Sequence, residues 1–229
     1  MTVIAEEPEV ASSSDEAPVD VTVTIKGVYA LLMHSDDLAN PFNPFAKALK
    51  AITSKRGKTE EDLMNAANME WWGGIYLSEA ATIDTSGISA SCSKVSRVII
   101  PAKVLTAALA AGARKSKLGK DVSAGVLVLD DAPLIYRGSK DPNVLSKDMA
   151  FRYLAMVKVG KSRILRCRPR FEKDWSLTFT VSVQPDIIDP SLIRACAEAA
   201  GKYAGIGDWR PNCPHGGPFG RFIVTDCSM

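Results

Sequence analysis

His34-Ser35-Asp36-Asp37 sets a histidine beside two carboxylates just after an apolar run. A side chain that titrates near neutrality can move protons, and neighbouring carboxylates can hold a hard divalent cation, so His34, Asp36 and Asp37 are candidate catalytic residues with magnesium as the cofactor. Serine and aspartate are also ordinary turn formers, and a plain turn is the simpler reading of the same four residues. If the turn reading holds, no cofactor is expected.

The strongest charge pattern lies between Lys158 and Arg170, where Lys158, Lys161, Arg163, Arg166, Arg168 and Arg170 occur without one acid. Arg166, Arg168 and Arg170 share parity, so a regular strand turns all three to one face at roughly 7 Å intervals, close to the phosphate spacing of a single strand. Pro169 interrupts pairing and suggests an edge position, where arginines could equally serve to discourage aggregation. A second basic group, Arg114, Lys115, Lys117 and Lys120, ends a helix, where it meets either a polyanion or the helix dipole.

The third pattern is GIGDWRPNCPHGGPFGRF, residues 205–222. Gly205, Gly207 and Gly220 let phosphates approach main-chain N–H groups, Arg210 and Arg221 add charge, and Trp209 offers a stacking face. A proline-stiffened turn anchored by Trp209 is the competing expectation. GIGDWRP lacks the GK[ST] ending of a triphosphate loop, Cys213-x-His215 with Cys227 lacks paired CxxC knuckles, and no GxSxG elbow occurs. Classical nucleotide hydrolysis, zinc binding and triad hydrolysis are therefore poorly supported.

These residues need elements to position them. Residues 1–18 contain Pro8, Pro18 and Ser12-Ser13-Ser14 without apolar periodicity, and are expected to be a disordered acidic leader. Val19, Val21, Val23 and Ile25 alternate with polar residues, as in a half-buried strand. NPFNPF, AKALKAIT and a TEED capping box form an aromatic helical insertion at about 38–72, projecting from the core; there Trp71 and Trp72 either build a local core or wedge between bases. Pro101 starts a helix with Val104, Leu105, Ala108 and Leu109 on one face. Residues 150–170 form a hairpin turning at Gly160, WSLTFTVSV a strand, Asp189-Pro190 the start of the last helix, and RFIVTD the last strand. Strands clustered between helices favour an antiparallel α+β fold, simplest as a β-α-β-β-α-β ferredoxin-like core over residues 19–229.

The totals limit the function classes. The chain has 229 residues and a net charge of +2, but residues 1–20 hold six acids and no base, which leaves 28 basic against 20 acidic residues, or +8, in the body. An acidic leader on a basic body suggests a polyanionic partner, with the leader either a solubilising tail or a charged pseudo-ligand. No apolar run approaches the roughly 18–20 residues of a membrane span, so no membrane partner is expected. The acidic N-terminus does not resemble a secretory signal, and five scattered cysteines are expected to stay reduced in a cytoplasmic location.

A glycine-rich loop between the last helix and last strand of a ferredoxin-like core resembles the RAMP superfamily of CRISPR-associated proteins, which are RRM-like folds that grip guide RNA. HSDD looks similar to the aspartate-bearing loop of RNA-cleaving members of the backbone-forming branch. VIIPAKVLTAALAAGARK looks like the segment in which a strand and proline introduce a helix ending in basic residues at the RNA. The resemblance implies an RRM-like antiparallel sheet with an inserted thumb-like segment, acting as a backbone-type subunit on single-stranded RNA, with DNA as the other candidate. It further implies homo-oligomers along the nucleic acid and contacts with other complex subunits. Two alternatives stand beside it: a metal-dependent endoribonuclease using Asp36 or Asp37 with His34, and a structural assembly protein of a virus or mobile element.

Overall fold

A computed structural model describes residues 16–84, 86–159 and 162–229, with backbone only at 158, 159, 162 and 163. Most of the acidic leader, and the Gly160 turn and Lys161, lie outside the described residues. Strand β1 spans Val19–Gly27, β2 Leu31–Leu32, helix α1 Pro44–Thr53, α2 Glu60–Gly74 and α3 Ala102–Ala113. They are followed by β3 Val126–Val128, β4 Arg152–Val159, β5 Ser162–Phe171, β6 Ser176–Val183, α4 Ile193–Ala199 and β7 Phe222–Ser228.

The period-two pattern in β1 does what it predicts. Val21, Val23 and Ile25 are buried and pair with Val181, Phe179 and Leu177 of β6, whose side chains are buried on the same face. The main sheet has the order β7-β1-β6-β3, and every pairing is antiparallel. With α3 between β1 and β3 and α4 between β6 and β7, this is the strand order of a β-α-β-β-α-β ferredoxin-like fold. The chain is α+β. Helix α3 buries Leu105, Ala108 and Leu109 and packs against α4. Its first turn is held by the carboxylate of Asp131, which accepts from the Ala102 N–H at 2.8 Å.

A second sheet, β2-β5-β4, carries the basic hairpin. Here the edge expectation fails: β5 is the central strand, and β4 is an edge. Pro169 is tolerated because β2 ends beside it. The Met33 N–H donates to the Pro169 carbonyl at 2.9 Å, and only the reciprocal bond is missing.

The inserted helices α1 and α2 lie where the pattern puts them. Thr59 Oγ1 accepts from the Asp62 N–H and Asp62 Oδ2 from the Thr59 N–H, both at 3.1 Å, a complete capping box. The expectation of a projecting segment needs correction, because the last turns of α2 are in the core. Met69, Trp71 and Trp72 are buried, and Trp71 Nε1 donates to the Phe151 carbonyl at 2.8 Å. Neither tryptophan is free to wedge between bases. Among the described residues no helix is long and apolar enough to cross a membrane.

Candidate nucleic-acid interface

The fold brings the three sequence patterns together, with the basic hairpin joined to the glycine loop by Arg168 and Asp208. The HSDD turn leaves β2, and the glycine-rich loop returns from α4 to β7. They face each other across a cleft of about 510 Å³ whose third wall is α3. Ala107, Ala108 and Ala111 give that wall its depth, since each side chain is one methyl group.

Four residues build the turn locally. Ser35 is buried, its N–H donates to the Gly74 carbonyl at 3.0 Å, and its Oγ accepts from the Asp37 N–H at 3.2 Å. A 3-10 turn over Asp36–Ala39 follows. Lys103 Nζ donates to both oxygens of Asp36, at 3.0 and 2.7 Å. That bond is the main reason the Asp36 carboxyl lies below its ordinary range and the Lys103 ammonium above its own. The Tyr76 hydroxyl donates to the His34 carbonyl at 3.2 Å, and burial, helped by the charges of Asp36 and Asp37, pushes its pKa to about 12.

His34 keeps an accessible ring, but the atoms crowding it and the Arg168 guanidinium lower its pKa, with Asp208 opposing them. Among the described residues no group of three or more His, Cys, Asp or Glu stands close enough to hold a metal ion. With Asp36 occupied by Lys103, the turn does not fit a magnesium cage.

The glycine loop is pinned to β2 by its own backbone. The Asp208 N–H donates to the Leu32 carbonyl and the Gly220 N–H to the Ala30 carbonyl, both at 2.8 Å. The Ile206 N–H closes on the Gly220 carbonyl at 3.0 Å. Gly207 and Gly220 have φ of 80° and 68°, and a Cβ on them would stand 2.2 Å from the Leu32 oxygen and 1.7 Å from the Ile206 oxygen. The phosphate-cradle expectation is corrected at Gly205 and Gly220, whose N–H groups donate within the protein, as do those of Gly216 and Gly217; among the described residues the Gly207 N–H has no acceptor. The proline-stiffened turn is the better account of the loop's backbone.

Its side chains remain available. Arg210 Nη1 donates to the Gly207 carbonyl at 2.8 Å, which aims a half-buried guanidinium along the cleft wall. Among the described residues it has no carboxylate partner. Trp209 is 40% exposed, holds a left-handed φ of 46°, and meets Tyr153 edge-on and Phe219 at a 39° tilt, with centroids 6.3 and 5.7 Å away. Trp209, Tyr153 and Met156 line a further cavity of about 690 Å³ floored by Arg166 and Arg168.

The arginine ladder differs from expectation in one respect. Arg166, Arg168 and Arg170 share a face of β5, but each has an acid. Arg166 pairs with Glu70, Arg168 Nε with Asp208 at 2.8 Å, and Arg170 with Glu172. Glu70 is 3% exposed and also accepts from the Cys167 N–H at 2.7 Å, filling the ladder position that the short β2 leaves empty. The Asp208 carboxyl is raised by burial, but Arg168, the Trp209 N–H and His34 outweigh that and hold it below its usual range. The Arg163 side chain lies outside the described residues.

The remaining candidates stand apart from the cleft. Arg114 lines a recess of about 550 Å³ between α3 and β3. Lys115 Nζ stands 5.2 Å from the Tyr203 ring centre, as does that of Lys202. Arg221 Nη1 donates to the Lys202 carbonyl at 2.5 Å, beside Tyr29 and Pro218. Lys103, Tyr76, Glu70 and Asp208 escaped the sequence argument. Glu70 had a signal, since an acid inside MEWWGG must be buried with a partner if its neighbours are.

No protein-family model and no curated protein matches the sequence. Among solved structures, the chain is similar to a chain in the cryo-EM structure of the Type III-B Cmr-beta bound to cognate target RNA. The TM-score is 0.49 and the identity 10%, over 93% of this chain and 60% of that one. The present chain thus spans less than two thirds of that chain's length, and the ferredoxin-like assignment rests on the strand order of the chain itself.

Proposed function

We propose that the chain is an RNA-binding subunit that holds single-stranded RNA in the cleft between the HSDD turn, α3 and the glycine-rich loop. The observation that supports this most is Arg210: a guanidinium fixed by the Gly207 carbonyl, half-buried in a cleft, with its charge unpaired among the described residues. A positioned, weakly hydrated cation of this kind suits phosphate recognition. The accessible Trp209–Tyr153–Phe219 cluster beside it suits base stacking, which tolerates any sequence. The +8 charge of the body outside the leader supplies a long-range attraction to such a ligand.

The RAMP resemblance extends this reading to a backbone-type subunit of a CRISPR-like ribonucleoprotein, with further copies and other subunits along the RNA. Fluorescence anisotropy with a labelled oligouridine across a salt series tests the binding itself. Affinity falls linearly on a log–log scale, and Arg210→Ala flattens the slope by about 0.7, the share of one phosphate contact on a single strand. A flat salt response, or absence of binding, removes the reading.

A further inference from the structure

The central cleft is bounded on two sides by ion pairs. It shares Ser35, Asp36, Tyr76 and Lys103 with a cavity of about 770 Å³ that runs toward Trp72 and Asp131. It shares Asp208 with the aromatic cavity of about 690 Å³. The partitions are therefore Lys103–Asp36 on one side and Arg168–Asp208 on the other. In each, a carboxylate from the HSDD turn or the glycine loop holds a cation, Lys103 lining the central cleft and its neighbour and Arg168 lining the aromatic cavity.

We propose that the three cavities form one track for the phosphodiester backbone of single-stranded RNA, and that Asp36 and Asp208 are internal phosphate stand-ins that RNA displaces. The inference rests on the RNA-binding reading above. A carboxylate and a phosphodiester present the same pair of anionic oxygens to an ammonium or guanidinium, so one replaces the other without rebuilding the site. Lys103 already donates to both oxygens of Asp36, and the two side chains are 62% and 69% exposed, so water reaches the pair and exchange is easy.

The second partition is tighter. The Arg168 side chain is 15% exposed, and Asp208 Oδ1 also accepts the Trp209 N–H at 2.8 Å. Displacing Asp208 therefore releases the amide of a tryptophan held at φ 46°, a conformation that non-glycine residues adopt only under constraint. Phosphate exchange at Arg168 is thereby linked to the stacking side chain of the next cavity. Asp36 in this account is a competitor of the ligand, not a group that attacks it.

The test is the affinity of a labelled oligouridine of about 16 nucleotides, long enough to cross all three cavities. Asp36→Asn tightens binding about three- to fivefold, the range of an exposed ion pair. Asp208→Asn, which keeps an acceptor for the Trp209 N–H, tightens it about tenfold, as expected for a charge-assisted bond. Each variant steepens the salt slope by about 0.7, because the freed cation now releases a counterion when RNA binds. Lys103→Ala abolishes the gain from Asp36→Asn.

Glu198→Gln removes one negative charge from an acid paired with Arg194 on α4, outside the three cavities, and is the matched control. Equal gains from Asp36→Asn and Glu198→Gln, or a gain from Asp36→Asn that survives Lys103→Ala, overturn the inference while leaving RNA binding intact. Failure of the wild type and every variant to bind overturns both. Binding by Asp36→Asn alone supports the inference. Should Asp208→Asn fail to fold, the exposed Asp36 arm decides the question.

Discussion

Replacing Glu70 by alanine is expected to destabilise the fold by about 3–5 kcal/mol. Its carboxylate is almost fully buried and has two duties: it accepts the Cys167 N–H at 2.7 Å and it pairs with Arg166, with Arg168 Nη1 a further 3.9 Å away. Truncation removes a charged acceptor, about 1.5–3 kcal/mol, and leaves the N–H of a fully buried residue unpaired, about 1–3 kcal/mol. Arg166 is 30% exposed and recovers some hydration, which keeps the sum below the upper limit of those ranges. Glu70→Gln retains one acceptor oxygen and the side-chain volume, and should cost about 1–2 kcal/mol. Urea unfolding read by tryptophan fluorescence measures both. Thermal midpoints should fall by about 2–4 °C per kcal/mol for a chain of this size. Glu70→Ala within about 0.5 kcal/mol of the wild type refutes the claim that this carboxylate fills the ladder position that the short β2 leaves empty beside β5.

Gly207→Ala places a Cβ 2.2 Å from the Leu32 oxygen at a φ of 80°, and should lower stability by about 2 kcal/mol or more in the same assay; a neutral effect would mean the loop is not pinned to β2. The Asp208 carboxyl is lowered in the fold, so its contribution is present above its ordinary pKa and lost as pH falls through the folded value. The stability difference between wild type and Asp208→Asn should therefore shrink below about pH 4, and a pH-independent difference contradicts the ion pair. Burial raises the Cys167 thiol to about 11, so iodoacetamide at pH 8 should modify it only after unfolding, and rapid labelling of the native protein would place it outside the core.

Features that depend on adjacent residues are legible in the sequence. The β1 alternation, the Thr59/Asp62 box, Pro101 ahead of α3 and the Asp189 cap each follow from local geometry. The order of elements was also enough to place the glycine loop between the last helix and the last strand. What stayed hidden is long-range pairing of charge. The acids that neutralise the arginine ladder come from far away: Glu70 lies 96 residues from Arg166, and Asp208 lies 40 from Arg168. A run of six bases without an acid looks free only along the chain. Pro169 misled for a related reason, since no local signal tells how short its partner strand is. The glycines marked the loop correctly, but only backbone geometry reveals that the N–H groups of Gly205 and Gly220 are already bonded within the protein.

Ultraviolet crosslinking of a bound single-stranded RNA, followed by mass spectrometry of the attached peptides, tests the binding account most directly. The account predicts crosslinks on peptides that carry Trp209 or Tyr153 and on those around His34 or Tyr76, the accessible aromatic and imidazole groups of the proposed track. Crosslinks confined to the Tyr203 and Tyr29 surfaces, with none at those four residues, would contradict it.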